Sequence, residues 1–139
     1  MKKCIAVISF VLVLLAGCGR NKVYPFAYSA DQISNIEIVN IPASSFMYGG
    51  NLKDIISIKT ISVDNWEAFL ADFHDVRCYK YFNDPPTFLE GLGMRITYLD
   101  GSFEIVDKRT GCHIVGEDIK YQWYGFDREA FLDFIKRYM

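Results

Sequence analysis

Gly91–Asp107 reads GLGMRITYLDGSFEIVD, and the pairing of its two halves decides how the chain folds. Met94, Ile96 and Tyr98 alternate with Arg95, Thr97 and Leu99, the period of two that marks a strand with one buried side. In the second half, Phe103 and Ile105 alternate with Ser102, Glu104 and Val106. Asp100-Gly101 between them is a strong signal for a two-residue hairpin turn. Met94, Ile96, Phe103 and Ile105 make the better core set, which leaves Arg95, Thr97 and Glu104 on an open face.

Strand signals continue on both sides of this hairpin. VRCYKYF, residues 76–82, precedes it, and GCHIVG, residues 111–116, follows across the turn residues KRTG. ISNIEIVNI and IISIKTIS, residues 33–41 and 55–62, are rich in β-branched residues. PASSFMYGGN between them, with Pro42, Gly49 and Gly50, reads as a loop. In NDPPTFLEGLG, Pro85-Pro86 excludes a central strand.

Two segments change period. Trp66, Phe69, Leu70 and Phe73 stand at i, i+3, i+4 and i+7, one stripe of a helix. Asp64 as N-cap with Glu67 resembles a capping box. Phe131, Phe134, Ile135 and Tyr138 repeat the spacing near the end. There Asp127 is the expected cap, Phe126 and Phe131 a hydrophobic staple, and Lys136 and Arg137 suit the negative end of the helix dipole. The order β-β-α-β-β-β-β-α, with hairpin-linked strands, implies an antiparallel sheet. Two helices with one apolar stripe each imply packing on one face of it. The expected fold is an α+β two-layer sandwich over residues 30–139.

The stretch GLGMRITYLDGSFEIVD, a following glycine, and YGFDREAFLDFIKRY together resemble small exported bacterial domains, mostly uncharacterised. The element order is also similar to the helix-on-sheet domains of β-lactamase inhibitory protein. The resemblance implies a fold and carries over no inhibitory residue.

The N-terminus has a separate logic. Met1-Lys2-Lys3 is basic, Cys4–Ala16 is almost wholly apolar, and Gly17-Cys18-Gly19-Arg20 ends the run. This is the build of an export signal, and the run is too short for a spanning helix, which needs about 20 apolar residues. Leu15-Ala16-Gly17-Cys18 resembles the lipobox of bacterial lipoproteins. The resemblance implies diacylglyceryl attachment at the Cys18 sulfur, cleavage before Cys18, and acylation of the new amine as a further possibility. Residues 1–17 are then the signal peptide, and 18–29 the lipidated cysteine and a tether. Two or three acyl chains hold a protein to a bilayer firmly, on the extracytoplasmic side of a cell membrane or outer membrane.

Removing residues 1–17 takes away Lys2 and Lys3 and leaves 122 residues with 13 basic and 17 acidic side chains. A net charge of −4 neither holds nucleic acid by counterion release nor binds anionic lipid by charge.

Candidate chemistry is sparse. His74 and His113 are the only histidines, without the convergent spacing that a metal site needs. No Gly-x-Ser-x-Gly or Ser-x-x-Lys occurs, and Gly91-x-Gly93 leads into a strand rather than a phosphate-binding helix. Glu117-Asp118 falls in an expected turn. Cys78 and Cys112 would pair only if the strand order set them side by side, since a disulfide needs Cα atoms within about 7 Å. No cofactor is called for. Arg77, Tyr79, Tyr81, Arg95, Thr97 and Glu104 form the candidate binding face, since Tyr and Arg are favoured at interfaces; an ordinary solvated sheet face is the other reading. Tyr121, Trp123 and Tyr124 would extend that face or close the core. The expected function is a membrane-anchored protein-binding or envelope accessory module, with an unknown envelope protein as partner; the alternative is a small extracytoplasmic hydrolase.

Overall fold

The computed structural model describes residues 23–42, 54–80, 90–122 and 124–139. Strands β1 (Ile33–Ile41) and β2 (Ile56–Thr60) come first, then helix α1 (Trp66–His74) and strand β3 (Cys78–Lys80). Strands β4 (Gly91–Tyr98), β5 (Phe103–Asp107), β6 (Gly111–Val115), β7 (Asp118–Gln122) and β8 (Tyr124–Phe126) follow, and helix α2 (Arg128–Arg137) closes the chain. Six strands form an antiparallel sheet in the order β2-β1-β4-β5-β6-β7, and β3 pairs with β8 in a second, two-stranded sheet. This is an α+β fold. The expected order holds, with β7 and β8 added. Asp118, expected in a turn, starts β7; the turn is Gly116-Glu117, where Gly116 has φ +61°.

Both helices lie on one face of the larger sheet. Phe69 and Phe73 of α1 and Phe131, Phe134 and Ile135 of α2 share a core with Ile36, Ile38, Met94, Ile96 and Val106. Asp127 caps α2 as expected, accepting from the Ala130 amide at 3.0 Å, and the Phe126 and Phe131 rings stand 5.6 Å apart. The start of α1 differs. A 3₁₀ turn, Val63–Asn65, precedes it, and Asn65 holds the N-cap position without a side-chain cap bond. Asp64 is therefore not the cap, because the 3₁₀ turn moves the first α-helical residue to Trp66.

The β4–β5 hairpin corrects the expected faces. Its loop has three residues, Leu99, Asp100 and Gly101. The Gly101 amide donates to Tyr98 O at 3.0 Å, and the Tyr98 amide to Ser102 O at 2.8 Å. Gly101 adopts φ +84°, the left-handed position such a loop requires. A two-residue turn would have set Leu99 opposite Ser102; the observed pairs are Thr97–Phe103, Ile96–Glu104 and Met94–Val106. One residue of slip flips every side chain of a strand. Glu104 and Val106 thus face the helices, and Phe103 and Ile105 face away with Arg95 and Thr97.

The face away from the helices is not open. Val39, Ile41, Ile55, Ile105, Cys112 and Ile114 form a second buried cluster there, with Phe103 and Ile119 against it. Cys78 and Cys112 are both buried and are not joined in a disulfide. Cys78 belongs to the helix-side core and Cys112 to the second cluster, so the sheet separates them. Burial pushes the Cys112 thiol far above its ordinary pKa, which keeps it protonated and unreactive.

Candidate functional site

Among the described residues, Ser102, Glu104 and His113 are buried polar side chains on the helix side of the β5–β6 region. Glu104 is fully buried. Its Oε1 accepts from the Tyr98 hydroxyl at 2.9 Å and from the backbone amide of Ala27. A buried carboxylate is tolerated only where donors converge on it, and here one donor comes from the segment just ahead of β1. That segment, residues 23–29, was expected to be tether. Instead Tyr24 is 3 % exposed and joins the helix-side core. Its ring meets Phe26, Phe73, Tyr124 and Phe126 at centroid distances of 5.1–6.0 Å. An added Cβ at Gly111 would lie 2.1 Å from the Tyr24 hydroxyl oxygen, so glycine leaves the space the ring fills. Tyr28 sets its ring edge-on to Tyr98 and His113, at 4.9 and 5.6 Å. Residues 24–28 therefore pack with the domain ahead of Ala30. The signal lay in the sequence, since Tyr24, Phe26 and Tyr28 at alternate positions are too apolar for a solvated linker.

The electrostatics follow from burial. Tyr24 and Tyr98 have hydroxyl pKa values raised well above the ordinary tyrosine value, first by desolvation and then by the Glu104 carboxylate. Both phenols therefore stay protonated. Asp100 lies at the loop, where its Oδ1 accepts from the Ser102 hydroxyl at 2.6 Å and the Ser102 amide at 2.8 Å. These bonds hold the Asp100 carboxyl below its usual range.

His113 Nε2 lies 3.0 Å from Ser102 Oγ. A serine nucleophile needs its proton directed at an imidazole nitrogen. Here the Ser102 hydroxyl points to Asp100, so Nε2 supplies the hydrogen of its own contact. The trio ties the β4–β5 loop to β6. Burial lowers the His113 pKa, partly offset by Asp100. The unfolded chain then binds its proton at higher pH than the folded chain. Stability from His113 is full above about pH 6.5 and is lost as pH falls through the folded pKa. The urea midpoint should therefore drop between pH 7 and pH 5, and His113→Gln should flatten that limb. A slope equal in wild type and variant would contradict this.

Of the six side chains expected on one face, the structure brings together Arg95 and Thr97. Both are half-buried on the face away from the helices, and Arg95 pairs with Glu37 across β1–β4 at 2.6 Å. Glu104 is on the opposite face. Arg77 and Tyr79 are exposed but belong to the β3 segment, outside the larger sheet. The register slip removes Glu104 from the set, and pairing of β3 with β8 removes Arg77 and Tyr79. Tyr81 and Cys18 lie outside the described residues, as does Trp123. Tyr124 is half-buried against the helix-side core. Among the described residues no group of three or more His, Cys, Asp or Glu could hold a metal ion, and no helix is long and apolar enough to cross a membrane. No family model matches the chain, and neither curated proteins nor solved structures hold a significant match.

Proposed function

We propose that the chain is an extracytoplasmic lipoprotein, anchored through Cys18, whose α+β domain is a protein-binding or envelope accessory module. The observation that carries this is Leu15-Ala16-Gly17-Cys18 directly after a basic start and an apolar run. The structure supports it in one respect. Tyr24 stands six positions after Cys18, and Tyr24, Ala27 and Tyr28 are built into the domain. A pull on the lipid would pass through this segment directly into β5 and the aromatic core. Partner contact through Arg77 and Tyr79 would come from the surface of the small sheet.

The test is processing and partition of wild type and Cys18→Ser. Wild type should lose residues 1–17, gain acyl mass and float with membranes. Cys18→Ser should keep its signal and carry no acyl group. A Cys18→Ser chain cut before residue 18 and still held on membranes would refute the assignment.

A further inference from the structure

A groove runs along α1 beside the N-terminal segment. One part, about 420 Å³, lies between residues 23–30 and Leu70 and His74. The other, about 350 Å³, continues past Ala30, Leu70 and His74 to Trp66. Its rims are apolar and aromatic. Val23 is 57 % and Tyr28 40 % exposed, and Phe26, Trp66 and Leu70 are half-buried along it. Among the described residues, Glu67 and His74 are its only charge-bearing side chains.

Resting on the lipoprotein reading above, we propose that this groove is the face by which the anchored domain sits on the phospholipid interface. Two observations carry it. The first is reach. Val23 stands five positions after Cys18, and an extended chain covers at most about 3.5 Å per residue. The acylated sulfur is therefore held within roughly 17–20 Å of a residue that lines the groove. A tether this short keeps the groove at the bilayer surface at high effective concentration, so weak intrinsic affinity suffices. The second is composition. Tryptophan and tyrosine favour the headgroup level of a bilayer, where an apolar ring and a polar edge are both accommodated. Among the described residues the groove carries one acid and no lysine or arginine, so the attraction it offers is apolar.

The experiment uses the acylated protein in phosphatidylcholine vesicles, with a nitroxide on Ala30→Cys or on Asp133→Cys. Ala30 is exposed where the two parts of the groove meet. Asp133, on α2, lines the cleft that α2 makes with Asp72 and Asp75. The Ala30 label should collide several-fold more with lipid-dissolved oxygen, relative to an aqueous nickel complex, than the Asp133 label does. Val23→Asp with Leu70→Glu should bring the Ala30 ratio to the Asp133 value, while the protein stays membrane-bound and its melting curve stays cooperative. An Ala30 label as water-accessible as Asp133, in protein whose mass shows the acyl chains, would overturn the docking face and leave the anchor standing. Spin–spin broadening between Ala30 labels at low surface density would mean that a second copy covers the groove, and would also overturn it. Absence of acyl mass would remove the anchor itself, and the proposal with it.

Discussion

Glu104→Ala should destabilise the domain by roughly 2–4 kcal/mol, since a buried donor left unmet costs about 1–3 kcal/mol and a part-buried one less. The donors are the Tyr98 hydroxyl and the Ala27 amide. Tyr98 is 1 % exposed, so water cannot readily replace the carboxylate. Against a total stability of about 5–15 kcal/mol for a domain this size, such a loss is a large fraction of the whole. Glu104→Gln keeps an acceptor oxygen and should lose less. The check is the urea midpoint of all three proteins at pH 7. An alanine variant within about 0.5 kcal/mol of wild type, the range of ordinary surface changes, would mean that Glu104 is not the buried acceptor described.

Phe73→Ala should cost about 3–5 kcal/mol, the usual penalty for emptying a buried aromatic site. Phe73 is 2 % exposed. Its ring stands 5.5–5.8 Å from Tyr24, Phe26, Phe126 and Phe134, so it joins α1, the N-terminal segment, β8 and α2. Few neighbours of one rigid element could collapse into the void. The melting temperature should fall by roughly 10–20 °C, measured by circular dichroism at 222 nm. Phe73→Leu, which keeps most of the volume, should lose less than half as much. Equal losses would show that the site is not tightly packed.

The helices were legible because their stripes are unambiguous. Trp66, Phe69, Leu70 and Phe73 fit one helical face and no strand face. Asp127 had a free carboxylate in the right place to cap. In β4 the alternation was equally clear, since Met94 and Ile96 are apolar and Arg95 and Thr97 are not. In β5 it was not. Phe103, Ile105 and Val106 are all apolar and the strand is buried on both faces, so composition could not choose between two registers. The choice lay in the loop, where Asp100-Gly101 suits a two-residue turn and also the end of a three-residue one. Taking the commoner turn sent Glu104 to the wrong face and hid the buried cluster. The pairing of β3 with β8 joins residues 44 to 48 positions apart, such as Tyr79 with Gly125, and no local pattern announces it. The N-terminal segment was misread because Pro25 and the lack of a period suggested a linker, while its three aromatic rings were the stronger signal.

The central claim is that residues 24–28 are part of the domain and that Glu104 pins them through the Ala27 amide. Amide hydrogen exchange at Ala27 tests it most directly. Ala27 has an exposed side chain, so without the Glu104 bond its amide should exchange as freely as that of a frayed terminus. The account predicts that it exchanges with the slow amides of β4 and β5 in wild type, and at the rate of an unstructured peptide in Glu104→Ala under conditions where that variant remains folded. Free exchange of the Ala27 amide in the wild-type protein would contradict it.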